Sequence, residues 1–218
     1  CFRMAHASIF KYLIHQVFLP DAIMTQSTAT TQAKISIATG PAGRAMAEAM
    51  TPEMVEQLQA HLNLERQSSA DYFAAAVWFA ERELTGFAEH LRDEGKQEQE
   101  HAAKFADYLI SRGQTVRLEA IDPPRQSWPD PEEVIANVFR MEADVTSSVL
   151  LLYATAEKDV DQRTTVFLDP VVDDQRISEH EAAYLLGRVK YANGERAAMM
   201  IIDAELREDE AEPAKLQS

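Results

Sequence analysis

Residues 87–108 read Phe-Ala-Glu-His-Leu-Arg-Asp-Glu-Gly-Lys-Gln-Glu-Gln-Glu-His-Ala-Ala-Lys-Phe-Ala-Asp-Tyr, and Phe87, Leu91, Glu94, Glu98, His101, Phe105 and Tyr108 recur among them at alternating steps of four and three. That is the spacing of one buried helix face in a bundle. Three of its positions, Glu94, Glu98 and His101, are ionisable. A carboxylate in a core is costly, so such groups persist inside when they are paired or bind a cation. Glu98 and His101 stand three apart, project from one side, and offer a hard oxygen and an imidazole nitrogen to the same ion. Glu-x-x-His occurs by chance in many charged helices, so the motif needs partners elsewhere in the chain.

Those partners lie on three other periodic stretches. Thr51-Pro52-Glu53 reads as an N-cap, a proline at the first helical position and an acid in the first turn. The helix it opens carries the stripe Leu58, Leu62, Glu65, Ser69, Tyr72, Ala76 and Phe79, again with an inward glutamate. The second helix follows Thr85-Gly86 and ends near Gly113, a C-cap glycine. Asp130-Pro131-Glu132-Glu133 starts a third, with Val138, Glu142, Val145, Val149, Leu152 and Ala156 facing in. A turn around Asp159–Arg163 leads to a fourth, whose stripe is Thr164, Leu168, Val171, Gln175, Ser178, Ala182, Leu185 and Val189. Pro170 is expected to kink it, because proline removes one backbone hydrogen bond. Asn193-Gly194 closes the fourth helix, and Glu195–Arg207 makes a short amphipathic fifth.

The connection between the second and third helices, residues 113–130, holds Pro123-Pro124 and Trp128-Pro129 and shows little periodicity. It exceeds the roughly two to eight residues of an ordinary bundle loop and suits a crossover running the height of the bundle. The fold class expected is therefore all-α: a four-helix bundle with a long crossover between helices two and three and a short C-terminal fifth helix. The folded domain is expected over residues 48–208, with 209–218 a polar tail. Residues 1–47 contain Asp21 as their only acid and no persistent helical stripe. They read as an extension outside the fold. It is either a stretch ahead of a native start at Met24 or an acid-poor, Ser/Thr-rich targeting presequence.

Composition narrows the chemistry. With 218 residues, 46% hydrophobic and 26% charged, the chain can bury a sizeable core. A formal net charge of −15 argues against nucleic acid or an anionic membrane as partner and favours cations. No stretch reaches the roughly 18–20 apolar residues that span a bilayer. The single cysteine, Cys1, excludes a disulfide framework and thiolate-rich zinc or iron sites. A reducing, cytoplasmic setting is expected. Glu65, Glu98, His101 and Glu142 thus come from three helices, Gln175 is supplied by the fourth, and oxygen-rich ligation with one imidazole suits iron or manganese, with zinc a competitor.

Leu64-Glu65 with Tyr72, Glu98-x-x-His101, Met141-Glu142, and Phe167-Leu168-Asp169-Pro170 followed by Gln175 resemble the ferroxidase-site motifs of prokaryotic non-haem ferritins, in the same order. The resemblance covers about residues 40–207, and Gly40-Pro41-x-Gly43-Arg44 is most similar to cyanobacterial members. It implies a ferritin-like bundle in a hollow cage of twenty-four subunits, Fe(II) oxidised by O2 or peroxide at an intra-subunit di-iron centre, and ferric mineral stored inside. It further implies that Glu65 and His101 hold one iron, Glu98 bridges and Glu142 holds the second. Tyr72 becomes either a redox-active or hydrogen-bonding tyrosine of the site or a core residue. Asp169 resembles a channel carboxylate, or serves as a local helix device before Pro170.

Departures from the family pattern matter. Gln175-x-x-Ser178 replaces the family's Gln-x-x-Glu, leaving Glu179, Asp174 and Glu94 as candidates to complete the second iron site. Gln97 and Ile177 replace carboxylates of a further iron site, so none is expected. Gln99 stands where bacterioferritins carry a haem-ligating methionine, so no haem is expected. Two other readings stay open: an uncaged di-metal oxidase or oxygenase, and a non-catalytic cage with a degenerate site.

Overall fold

The computed structural model describes residues 37–211, with side chains through Arg207. The expectations for residues 1–36, Met24 included, and for the end of the polar tail fall outside the described residues. The fold is all-α: α1 Pro52–Ala80, α2 Thr85–Ser111, α3 Pro131–Lys158, α4 Gln162–Ala192 and α5 Arg196–Ala211. Local chemistry sets most of these limits. Thr51 Oγ1 accepts from Met54 N (3.2 Å) and Asp130 Oδ1 from Glu133 N (2.9 Å), each followed by proline at the first helical position. Asn193 and Gly194 adopt φ of 48° and 77° and end α4 as the sequence predicts.

The start of α2 is different. Leu84 offers no side-chain cap, and Asp203 of α5 does the work instead, its Oδ1 accepting from Phe87 N at 3.1 Å. Arg207 holds the other oxygen of Asp203 at 2.5 Å, and the aspartate is fully buried. A Cβ on Gly86 would collide with the Asp203 carbonyl, so glycine is what lets α5 close on α2.

Helices α1 and α2 pack as one antiparallel pair and α3 and α4 as another, with α1 against α3 and α5 against α2 and α4. Their inward faces form two apolar clusters. One gathers Met54, Leu58, Leu62, Phe105, Leu109, Leu152 and Leu168. The other gathers Trp78, Phe79, Phe87, Leu91, Ile135, Leu185 and Ile202. Between them, halfway along α1–α4, lies a layer of buried polar groups: His61, Glu65, Ser68, Glu98, Glu142 and Gln175.

The crossover between α2 and α3 has no regular structure of its own and is held by side-chain amides of α1. Gln59 Nε2 donates to Thr115 O (2.7 Å) and its Oε1 accepts from Arg117 N (2.9 Å). Asn63 repeats the pairing with Arg117 O (3.1 Å) and Glu119 N (3.0 Å), and Gln67 with Asp122 O (3.2 Å) and Asp122 N (2.7 Å). Each amide therefore meets the extended chain as a neighbouring strand would. Further along, Trp128 is buried against Trp78, ring centroids 6.4 Å apart.

Two details differ from the sequence expectation, and the surroundings of Pro170 add to it. Packed backbone begins ahead of residue 48: Ala38–Thr39 pairs antiparallel with Ala45–Met46, and Gly40 lies against the carbonyl of Gly113. Helix α4 runs through Pro170, where the sequence predicts a kink, and Val166 and Pro170 are both exposed, so the carbonyl that proline leaves unbonded lies on the outer face. On α1 it is Ser68 that is fully buried, while Ser69 sits at the α1–α2 seam and donates to Gly95 O at 2.6 Å. The seam is narrow there, since a Cβ on Gly95 would lie 3.2 Å from both Ser69 O and Tyr72 Cβ.

Candidate metal centre

The polar layer brings Glu65 of α1 and Glu98 and His101 of α2 together, with one donor atom from each lying within 4.8 Å of the others. Metal bonds of about 2.1 Å place donors of one ion up to roughly 4 Å apart, so small side-chain adjustments suffice. Glu65 and Glu98 are buried, and His101 is the member that reaches partway to solvent. His101 Nδ1 lies 3.6 Å from Glu98 Oε2, beyond hydrogen-bond reach. Glu65 Oε2 and Glu98 Oε2 are buried with no hydrogen-bond partner. Native proteins rarely leave such atoms unpaired, and two orphaned carboxylate oxygens beside an imidazole are the donor set of a divalent cation.

Beside this cluster stands a second group. Glu142 of α3 is fully buried, accepts from the Tyr72 hydroxyl on one oxygen, and accepts from Gln175 Nε2 at 2.8 Å on the other. Its charge is felt by Glu65, and that of Glu98 by Glu142. Burial pushes the Glu98 carboxyl up to about 8 and raises Glu65 and Glu142 as well. Glu94, half-buried at the edge of the layer and bonded by Gln97 Nε2 (3.1 Å), rises to about 7, first through burial and then through Glu181, Glu142 and Glu98. Contact with the Glu98 carboxyl raises His101. Burial and the neighbouring carboxylate raise Tyr72, so it stays a neutral hydroxyl donor.

Of the residues singled out from sequence, Glu65, Glu98 and His101 thus form one cluster, and Tyr72, Glu142 and Gln175 form the hydrogen-bonded group next to it. Glu179 is placed elsewhere: its Oε2 accepts from Thr146 Oγ1 at 2.7 Å at the α3–α4 seam. Asp174 stands at the surface, 4.0 Å from Lys104. Ser178 is half-buried and donates to Asp174 O at 3.4 Å.

His61 escaped the sequence reading. Its Nδ1 meets Ser148 Oγ at 2.8 Å, and its Nε2 approaches Glu65 Oε1 at 2.9 Å without hydrogen-bond geometry. Burial lowers it to about 4, so it is a neutral imidazole. The available signal was its place four residues before Glu65, on the same stripe.

Comparison with known proteins bears on the family and the fold. Residues 55–192 match the ferritin-like domain family. The bacterial non-haem ferritin of Bacteroides fragilis is 28% identical over 157 residues, 72% of this chain and 98% of that protein. The bacterial non-haem ferritin of Escherichia coli is 26% identical over 157 residues, 72% of this chain and 95% of that one. Among solved structures, the open-pore ferritin of the hyperthermophilic archaeon Archaeoglobus fulgidus superimposes with a TM-score of 0.71 at 28% identity, covering 73% of this chain and 98% of that one. With the family match spanning more than half of the chain and the bundle superimposing on a solved ferritin, the chain belongs to the ferritin-like domain family, among the prokaryotic non-haem ferritins.

Proposed function

We propose that this protein is an iron-storage ferritin whose polar layer is a ferroxidase centre. Ferrous iron is the substrate: each ion gives up one electron, with O2 or peroxide the acceptor, and the ferric product is stored as mineral inside a cage of twenty-four subunits. The observation that carries this reading is the pair of orphaned carboxylate oxygens of Glu65 and Glu98 beside His101. Hard oxygen donors favour the ferric over the ferrous ion and so assist the loss of an electron. Burial holds the Glu98 carboxyl up at about 8 and raises Glu65 in the same direction, so binding of a cation releases protons. In this reading Glu65 and His101 hold the first iron and Glu98 faces both positions. Glu142, positioned by Tyr72 and Gln175, holds the second.

Glu142 already has a donor on each oxygen, and Glu179 is engaged by Thr146. That favours a second position weaker than the first. Aerobic addition of ferrous iron should give rapid growth of ferric absorbance, and Glu98→Ala should slow it at least tenfold. An unaltered rate in that variant would sink the assignment. Anaerobic calorimetry of the native protein should resolve one tight and one weak metal equivalent per subunit; two equally tight ones would remove the asymmetry.

A further inference from the structure

The metal cluster opens outward between α2 and α4. Glu65, His101 and Gln175 form the floor of this opening, and Lys104 and Asp174 stand at its rim. Its free volume is about 10 Å³, room for one water at most. A hydrated divalent cation is far larger, so it cannot reach the cluster by this path until the rim moves. The moving part is easy to identify. Lys104 Nζ lies 4.0 Å from Asp174 Oδ2, spanning the mouth from α2 to α4, and both side chains are about half exposed, 54% and 55%. Exposed ion pairs of this length contribute little, so parting them costs little.

The sign of the rim charge is the unexpected feature. An ammonium stands three residues after His101, over a site built of carboxylates, and its charge acts on both Glu65 and His101. A cation approaching the cluster through this mouth is therefore repelled at the last step.

Building on the metal-centre reading above, we propose that Lys104 is a removable electrostatic plug. Paired with Asp174 it closes the mouth over the metal-free centre; swung into solvent it opens the path and leaves Asp174 unpaired at the rim. Lys104 thereby sets the rate at which divalent cations reach the centre, while the ligands set how tightly they are held. It is a gating residue and touches no reacting atom.

The test uses cobalt(II), which binds such sites without being oxidised by air and reports binding through its visible absorption. In stopped-flow mixing with the whole protein, Lys104→Gln should raise the association rate about fivefold, the factor for a dication and a unit charge about 8 Å apart in water. Lys104→Glu should raise it further, and Lys104→Arg should keep the native rate. Saturating cobalt per subunit should be the same in all of them. The gap between native and Lys104→Gln rates should shrink as salt is raised. Native rates in Lys104→Gln and Lys104→Glu, with full cobalt uptake, overturn the plug and leave the metal centre standing. Loss of cobalt stoichiometry in Lys104→Gln also overturns it, because the lysine would then be structural. A native protein that takes up no cobalt overturns both readings.

Discussion

Glu98 and Glu94 are carboxyls that burial has moved from 4.5 to about 8 and about 7. Between those limits the folded, metal-free chain holds more protons than the unfolded one. Their contribution to stability is therefore complete below about pH 4.5 and is lost as pH climbs through 8. Thermal melts of chelator-treated protein should show a falling midpoint from about pH 5 to about pH 8.5. Divalent metal should flatten that slope by replacing the protons. Tyr72 works on the neighbouring carboxyl: Tyr72→Phe leaves one oxygen of Glu142 buried without a donor and should destabilise the metal-free protein by about 1–3 kcal/mol in urea titrations. At this scale the sequence was informative wherever an acid interrupted an apolar stripe, as at Glu65, Glu98 and Glu142. His61 was missed because one histidine on a stripe reads as ordinary core. Lys104 was missed because its role depends on Asp174, which is near it only in the folded chain.

Helix limits were legible where the cap lies beside the helix it caps, as at Thr51-Pro52 and Asp130-Pro131. The start of α2 was located without its cap being recognisable, since Asp203 lies on another helix. Asp203→Ala should strip that cap, release Arg207 and cost about 1–2 kcal/mol in thermal or urea unfolding. Limited proteolysis should then cut α5 before it cuts the bundle, because α5 depends on this contact and on the close approach at Gly86. The crossover was half legible. Its length announced that it runs the height of the bundle, but Gln59, Asn63 and Gln67 read as unremarkable polar positions until their backbone partners were in view.

Across the whole molecule, the polar layer separates two apolar clusters, so the centre sits where opposite ends of all four long helices pack on either side of it. The outer surface is less complete. Phe73 on α1 is more than half exposed in a groove it shares with exposed Ile121, and Tyr184, Tyr191 and Ile201 on α4 and α5, also more than half exposed, line a second groove. Exposed apolar groups clustered in this way mark contact surfaces. If the proposed cage forms, Phe73→Glu should lower the mass measured by light scattering while leaving the helical circular dichroism of the subunit intact. The amide ladder from α1 to the crossover sets a limit of its own. Four residues of helix rise about 6 Å, and two residues of extended chain advance about 6.6 Å. Two scales so nearly equal keep neighbouring rungs matched, with a mismatch of only about 0.6 Å per step. Gln59 and Asn63 engage 115, 117 and 119 in step, whereas Gln67 takes both its partners from Asp122, so the chain spends about two residues more on the third rung than on the second. The strap is thus taut across its first two rungs and carries its slack just ahead of the third, which is where a one-residue insertion would be absorbed at least cost.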